Sequence, residues 1–268
     1  MNYQTILLDI TEGVATITFN RPEKKNTLDL VMRAELARAL DALHKDDSVR
    51  ALILTGAGGA FCAGGDISTM GKSDATAEGG LKRAKSVHGW LRMLLEFDRP
   101  VIAAVDGPAF GIGFSLALAA DLVLASPRAR FCLSFLRVGL IPDGGAHYTL
   151  PRLVGMQRAK ELIFSARELD AAAALEYGIA MEVVPAEGLM ERARTIASSF
   201  RNASGIALAL SKATINRAFE SDLSTMLELE AVAQGVAFSS DVHRVAVKRF
   251  MDKQPPLFKW PVRKMGSE

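Results

Sequence analysis

Apolar and polar residues alternate near the amino terminus in two short runs, at residues 5–10 and 14–19. A period of two residues is typical of a half-buried strand, so the two runs predict a β-hairpin. Residues 28–43 instead repeat leucine and methionine at helical spacing. This pattern predicts a helix, for which Asn26 or Thr27 would be the N-cap.

Two units of strand, glycine loop and helix follow, about fifty residues apart. The first is an apolar run at 50–55 that leads into the glycine-rich loop 56–59. The second is the run 101–105, followed by three glycines within 107–113, a short helix and a further strand at 122–125. Strands that alternate with helices favour an α/β fold with a largely parallel sheet covered on both faces.

Helical spacing dominates the carboxyl-terminal half of the chain. We expect residues 1–199 to form the core with its site, and residues 200–268 to form a helical region for core docking and oligomerisation. A charged helix predicted at 78–97 is interpreted as a mobile cover of the site, or as a solvated helix. The remaining predicted elements are helices at 157–165 and 170–177, a strand at 180–184, and helices up to residue 252.

Composition narrows the classes of partner and compartment. Lys plus Arg is 32 and Asp plus Glu is 30, which gives no broad basic field for nucleic acid. The longest uncharged apolar stretch, 107–120, is shorter than the roughly 17 to 25 residues that cross a bilayer. Cys62 and Cys132 lack metal-ligand spacing and are interpreted as small buried residues. With no signal segment before the first strand, we expect no metal, no membrane and a cytoplasmic protein.

The two glycine loops could present backbone amides to one anion. Residues 61–66 follow a strand, so amides near Ala63 can point into a cleft, and the loop 107–113 places the amide of Ile112 at a helix start. Glycine after a strand also marks ordinary turns, and Asp66 could simply be a helix N-cap. Either loop alone is therefore weak evidence for an anion site.

Five motifs in order make the pattern specific. Together they resemble the enoyl-CoA hydratase/isomerase (crotonase) family over nearly the whole chain. The motifs are NRPEKKNTL at 20–28, FCAGGDI at 61–67, VDGPAFGIG at 105–113, VGLIPDGG at 138–145 and LPRLVG at 150–155.

The resemblance implies a crotonase-like spiral of ββα units with a helical carboxyl region that builds trimers or dimers of trimers. It also implies an acyl-CoA substrate without a separate cofactor, and an oxyanion hole made by the amides of Ala63 and Ile112. Lys24 and Lys25 would lie near the coenzyme A phosphates. The full set of expected binding residues is Lys24, Lys25, Leu28, Cys62, Ala63, Gly64, Asp66, Ile67, Gly111 and Phe135.

The catalytic side chains depart from a hydratase pattern. Family hydratases use two glutamates, and their positions fall on Ser115 and Phe135 here, neither of which can act as an unassisted base. Ser115 is interpreted as a core or cap residue. One acid remains in a matching place, Asp143, and a single carboxylate suffices to move a double bond. Burial by Phe135 and Ile141 would raise its pKa toward neutrality.

Other functions stay open at this point. Pro-Asp-Gly is also ordinary turn chemistry, which would make Asp143 a loop residue. The alternatives to isomerisation are a hydratase with an atypical base, a thioester hydrolase or dehalogenase in which Asp143 attacks covalently, and a non-catalytic acyl-CoA binding protein. Selectivity for the acyl chain is expected to depend on residues 70–97 and on the carboxyl helices.

Overall fold

The computed structural model describes residues 2–67 and 76–262. Within them the larger sheet has six strands in the order β1-β2-β3-β4-β6-β9, in which β1 and β2 are antiparallel and the other neighbours parallel. The predicted hairpin and the largely parallel sheet are therefore confirmed. The strands are β1 (Ile6–Thr11), β2 (Val14–Phe19), β3 (Ala51–Gly56), β4 (Val101–Val105), β5 (Pro108–Phe110), β6 (Leu122–Ala125), β7 (Arg130–Cys132), β8 (Leu169–Asp170) and β9 (Glu182–Val183).

Helices occupy most of the connections and the whole carboxyl-terminal region. Short 3-10 turns lie at Pro22–Lys24 and Ser134–Val138. The helices are α1 (Leu30–His44), α2 (Ala77–Leu95), α3 (Ile112–Leu118), α4 (Ala146–Val154), α5 (Met156–Ser165), α6 (Ala171–Glu176), α7 (Leu189–Ser199), α8 (Gly205–Ile215), α9 (Leu223–Phe238) and α10 (Asp241–Met251).

The start of α1 differs from the prediction. The N-cap is Asp29, whose carboxylate accepts a hydrogen bond from the amide of Met32 at 2.8 Å. Asn26 is buried, and its side-chain amide donates to the carbonyls of Ala57 and Ala60 at 2.9 and 2.7 Å. The predicted cap at Asn26 or Thr27 was wrong because the Asn26 side chain ties two loops together instead of closing a helix.

The larger sheet is covered on both faces, as predicted. Along β3, Leu52 and Leu54 face one apolar cluster, whereas Ala51 and Ile53 face another. The first cluster also contains residues of α1 and α2, and the second contains residues of α7. Alternate residues of a strand point to opposite faces. This explains why the central strands are apolar throughout.

A second, smaller sheet was missed by the sequence analysis. It consists of β5, β7 and β8, each only two or three residues long and therefore without a readable alternation. Two isolated parallel bridges, Leu28 with Gly65 and Cys62 with Ala109, extend the same layer. The chain thus passes repeatedly from a strand of the large sheet to a short strand of the small one and then into a helix. This path produces the spiral.

The carboxyl-terminal tail packs on the core of its own chain. The Phe258 ring stacks on Phe200 with ring centroids 6.0 Å apart, and Arg192 donates to the carbonyl of Pro261 at 2.8 Å. Lys212 on α8 pairs with Asp121 at 2.7 Å. Helices α8–α10 themselves contain no buried residue, and residues 263–268 lie outside the described part. The boundary between 199 and 200 remains a prediction.

Candidate active site

Two loops from successive strands of the large sheet lie side by side. Cys62 donates to the carbonyl of Pro108 at 3.0 Å and accepts from the amide of Phe110 at 2.8 Å. On the other side of the first loop, Leu28 donates to the carbonyl of Gly64 at 2.8 Å. Both loops are therefore fixed by a ladder of backbone hydrogen bonds rather than by side chains.

The structure changes one of the two predicted amide donors. The amide of Ala63 donates to the carbonyl of Lys25 at 2.9 Å and is not available to a ligand. Within residues 2–67 and 76–262, the amides of Gly65 and Ile112 have no hydrogen-bond acceptor. In the bridge to Leu28 the bonds are made by the residues on either side of Gly65, so its own N–H points away from the ladder. The donor in this loop is therefore assigned to Gly65 instead of Ala63.

Close approach of the loops depends on glycine at two positions. A Cβ at Gly113 would lie 2.1 Å from the carbonyl oxygen of Cys62, which no side chain could tolerate. Gly111 has φ of 51°, and a Cβ there would lie 3.8 Å from the Cα of Gly64. Since Gly65 and Ile112 directly follow these neighbouring glycines, their free amides belong to one region.

Asp143 lies beside that region as a half-buried residue whose Oδ1 atom is buried. Its Oδ1 has no hydrogen-bond partner among the described residues, and burial raises the pKa of its carboxyl group. The charges of Arg33, Arg83 and His88 partly oppose this rise. A buried and unpaired carboxyl with a raised pKa is characteristic of functional acid/base groups.

The groups that bury Asp143 are only partly those predicted. Ile141 is 74% exposed, so it contributes little to the burial predicted for it. Phe135 is half-buried against the core. A Cβ at Gly145 would lie 3.3 Å from Leu91 of α2, which shows that this helix packs over the Asp143 loop. The predicted helix is confirmed, whereas its mobility remains a prediction and residues 70–75 of the expected pocket wall lie outside the described residues.

Ser115 has a structural role at the site. It is fully buried, and its hydroxyl donates to the backbone carbonyl of Asp143 at 2.8 Å. A Cβ at Gly144 would approach the Ser115 Cβ to 2.8 Å and Ile112 Cγ1 to 3.2 Å. The interpretation of Ser115 as a core residue is confirmed, and its contact holds the Asp143 loop against the start of α3.

The other residues predicted to bind coenzyme A divide by exposure. Lys24 and Lys25 are exposed, next to the 3-10 turn that precedes α1. Ile67 is also exposed, whereas Leu28 is fully buried. The lysines are therefore accessible to phosphates, while Leu28 contributes through its backbone contact with the loop 61–66.

Asp66 and Cys62 are explained by their surroundings. The Asp66 carboxylate pairs with Arg21 at 3.3 Å, and Arg21 also pairs with Asp29 at 3.1 Å. Asp66 thus links its loop to the start of α1, and its interpretation as a helix N-cap concerns residues 68–70, which lie outside the described part. Burial raises the pKa of the Cys62 thiol to about 12, so that it stays protonated and unreactive at neutral pH.

Sequence reasoning missed Arg33 and Gly65. Arg33 is only 6% exposed, although it carries a charge. Its position beside Met32 and three residues before Leu36 places an arginine on the apolar face of a predicted helix, which was a readable signal. Gly65 was hidden because the glycine pair in the motif does not show which amide is already bonded.

The described residues contain no group of three or more His, Cys, Asp or Glu side chains that could hold a metal ion. None of the described helices is both long enough and apolar enough to span a membrane. What the site does offer is two amides without acceptors beside one buried carboxyl, on a spiral of parallel strands. This is the arrangement expected of an enzyme that stabilises an oxyanion and moves a proton.

Comparison with known proteins identifies the family. The chain belongs to the enoyl-CoA hydratase/isomerase family, whose model matches residues 9–261. It is 37% identical over 255 residues to 1,2-epoxyphenylacetyl-CoA isomerase of Escherichia coli, covering 94% of this chain and 97% of the relative. It is also 37% identical over 257 residues to short-chain-enoyl-CoA hydratase of Clostridium acetobutylicum, covering 95% of this chain and 97% of that one.

A solved structure confirms the crotonase fold. The crystal structure of enoyl-CoA hydratase/isomerase from Cupriavidus metallidurans matches with a TM-score of 0.94 at 45% identity, covering 98% of this chain and 100% of that one. The relatives carry both isomerase and hydratase names. A CoA thioester substrate is consistent with this family, and the reaction must be inferred from the side chains at the site.

Proposed function

We propose that this enzyme shifts the double bond of an enoyl-CoA thioester, with Asp143 as its single acid/base. The observation that carries the proposal is the buried Asp143 carboxyl, which has no partner for Oδ1 among the described residues and belongs to the loop packed against Ile112. The free amides of Gly65 and Ile112 provide two donors for the thioester oxygen. Donors fixed in advance stabilise developing negative charge most effectively.

The proposed reaction begins with a 3-enoyl thioester. The Asp143 carboxylate removes a proton from C2, and the electron pair moves into the carbonyl to give a dienolate. The two amides hold the resulting oxyanion. Asp143 then returns the proton at C4, so that the double bond moves from C3–C4 to C2–C3 and the carboxylate is regenerated.

Hydration is disfavoured by the same side chains. The resemblance implies that hydratases of this family use two glutamates to activate and orient water. Ser115 and Phe135 take the places of these glutamates here. The Ser115 hydroxyl already donates to the Asp143 carbonyl, and a phenylalanine ring exchanges no proton. One carboxylate is enough for a double-bond shift but leaves no second group to activate water.

The coenzyme A portion is proposed to enter along the loop 61–67. Lys24 and Lys25 are the exposed cations beside this loop and would neutralise phosphate groups. No separate cofactor is needed for this chemistry, and both cysteines are free, which agrees with a proposed cytoplasmic enzyme. The loop and pocket residues proposed to contact the thioester are Gly64, Gly65, Asp66, Ile67, Gly111 and Phe135. Leu28 and Cys62 are fully buried and would support this loop from behind.

Assembly into a homotrimer, or a dimer of trimers, is proposed from the exposed apolar residues of the carboxyl-terminal helices. Large contiguous apolar patches are rare on monomers. Light scattering on the purified protein should give three or six times the 28.8 kDa chain mass, and a monomer at micromolar concentration would overturn this proposal. The exposed apolar residues of α8–α10 and the turn after α8 are Ile206, Ile215, Phe219, Leu223, Leu227, Val232, Val236, Phe238, Val242, Val245, Val247, Phe250 and Met251.

Replacing Asp143 tests the proposal directly. Asp143→Asn keeps the shape of the side chain but removes the proton acceptor, so we expect turnover of 3-enoyl-CoA to fall by roughly 10² to 10⁴. Affinity for a saturated acyl-CoA should stay nearly unchanged. The matched control is Asp47→Asn, at a fully exposed position. Full turnover by folded Asp143→Asn would leave Asp143 as a turn residue and disprove its catalytic role.

A further inference from the structure

The short turn between α8 and α9, residues 216–220, contacts both helices that border the Asp143 loop. Its first residue, Asn216, donates through Nδ2 to the carbonyl of Leu95 at the end of α2, at 3.3 Å. The carbonyl of Asn216 accepts a hydrogen bond from the Tyr148 hydroxyl of α4 at 3.1 Å. Asn216 therefore joins the end of α2 to the first turn of α4.

Arg152 of α4 fixes the other end of this turn. Its Nη2 atom pairs with Glu220 at 2.8 Å, and its guanidinium lies over the Tyr148 ring, 3.5 Å from the ring centroid. The centroid of the Phe219 ring lies 5.6 Å from the same guanidinium. Arg152 belongs to the motif at 150–155, which the proposed reaction does not use. Both ends of the turn are thus bound to α4 by polar contacts.

The same two helices touch the loop that carries Asp143. A Cβ at Gly145 would lie 4.0 Å from Cδ1 of Leu95, the residue whose carbonyl accepts from Asn216. Ala146, the first residue of α4, donates its amide to the Asp143 carbonyl at 3.3 Å. The turn, the two helices and the Asp143 loop therefore form a closed ring of contacts.

We propose that Arg152 and Asn216 are positioning residues, which hold α2 and α4 together around the Asp143 loop so that its carboxylate stays aligned with the oxyanion on the two free amides. The proposal rests on the function proposed above, because it assumes that Asp143 exchanges the proton. A displacement of about 1 Å at a reacting group can cost about 10²-fold in rate, even when the changed residue lies away from the chemistry. The turn after α8 thereby links the carboxyl-terminal helices to the acid/base.

Arg152→Gln tests this role, because it removes the ion pair with Glu220. We expect kcat for 3-enoyl-CoA to fall about tenfold while KM changes less than about twofold, since the residues proposed to contact the thioester are not altered. Arg152→Lys, which can still pair with Glu220, should keep at least about half of the wild-type kcat. The matched control is Arg92→Gln, which breaks an exposed pair with Glu96 on α2 and should alter neither value.

The variants should stay folded, because a partly exposed ion pair contributes little to stability. Unchanged kcat per folded molecule in Arg152→Gln would overturn the proposal, and so would an equal loss in Arg92→Gln. Arg152→Lys that is as slow as Arg152→Gln would overturn it as well, because the pair with Glu220 would then not be the contact that positions the loop.

The pKa of Asp143 provides a measurement that does not depend on turnover. Loosening of α2 and α4 should admit water to the carboxyl group and lower its raised pKa toward the ordinary value. The charges that act on Asp143 are those of Arg33, Arg83 and His88, and all three are unchanged in Arg152→Gln. Loss of a positive charge would by itself raise a carboxyl pKa, so a fall in the pKa would report access of solvent.

Carbon-13 NMR of the aspartate carboxyl groups, assigned with Asp143→Asn, should therefore show a lower pKa for Asp143 in Arg152→Gln than in the wild type. This result would support the positioning role even if no isomerase activity is found. An unchanged pKa would overturn the positioning role while leaving the proposed isomerisation intact.

Discussion

The two halves of the site are built in opposite ways. The half that holds the amides of Gly65 and Ile112 consists of loops whose flanking backbone groups are hydrogen-bonded to Leu28, Pro108 and their neighbours. The half that contains Asp143 and Arg33 consists of buried side chains with atoms that lack partners among the described residues. In the first half every backbone group except the two donor amides is thus held by neighbouring backbone, whereas the second half leaves side-chain atoms without partners.

This difference shows which half stabilises the fold and which is kept for the ligand. A satisfied backbone ladder contributes to stability whether or not substrate is present. Unpaired buried charges reduce stability and persist only where function requires them. Substitutions in the two halves should therefore differ in effect. Loss of a bond of the backbone ladder should lower stability, whereas loss of the Asp143 carboxylate should lower activity and raise stability.

Within the backbone half, deleting one free amide should cause the largest loss of turnover. Gly65→Pro removes the N–H without removing an observed hydrogen bond, so turnover should fall by roughly 10² to 10³. Ala63→Pro is the matched comparison, because it removes the bond from Ala63 to the Lys25 carbonyl. It should lower the melting temperature more than Gly65→Pro does. Normal turnover by folded Gly65→Pro would disprove its role as a donor.

Ionisation of Asp143, in the side-chain half, should determine the pH dependence of turnover. Asp143 must be ionised to accept a proton, and burial raises its pKa above the ordinary 3.8 despite the opposing charges of Arg33, Arg83 and His88. Turnover should therefore fall about tenfold per pH unit below the raised pKa and level off above it. A stopped-flow profile of the wild type checks this. An acid limb that begins only at pH 4 would contradict a raised pKa.

The smallest of the expected effects is a change in the stability of Asp143→Asn. This variant should be more stable than the wild type although it is less active. The folded protein holds the Asp143 proton more tightly than the unfolded chain does, so ionisation destabilises the fold as the pH rises from 3.8 through the raised pKa. Asp143→Asn lacks this loss. We therefore expect its melting temperature at pH 7.5 to exceed that of the wild type. The gain should vanish near pH 3.5. A lower melting temperature at pH 7.5 would instead support a turn role.

Much of the backbone half could be predicted from the sequence. The strand–glycine–helix units and the crotonase-like motifs located both loops, and the apolar runs at β3 and β4 predicted the covered sheet. The sequence could not show that the amide of Ala63 is already bonded to Lys25, because this bond depends on the left-handed backbone at Lys25, where φ is 48°. The short strands β5, β7 and β8 were likewise too brief to show a period.

The side-chain half was predicted less completely. Asp143 was found through its motif, but the groups that bury it come from α2 and from Phe135, and Ile141 is exposed. Which side chains meet around a buried group is a property of tertiary packing and is not encoded in local spacing. Arg33 carried a local signal as a charge on an apolar helix face, yet only the fold shows that it lies among the groups around Asp143.

The most direct test of the proposed reaction compares two activities of the wild-type enzyme under matched conditions. Isomerisation of 3-enoyl-CoA and hydration of 2-enoyl-CoA should be measured on the same preparation, with esters of equal chain length. A single carboxylate beside two free amides predicts that kcat/KM for isomerisation exceeds that for hydration. Hydration that proceeds as fast as isomerisation or faster would contradict this conclusion, and would require a second base that Ser115 and Phe135 do not provide.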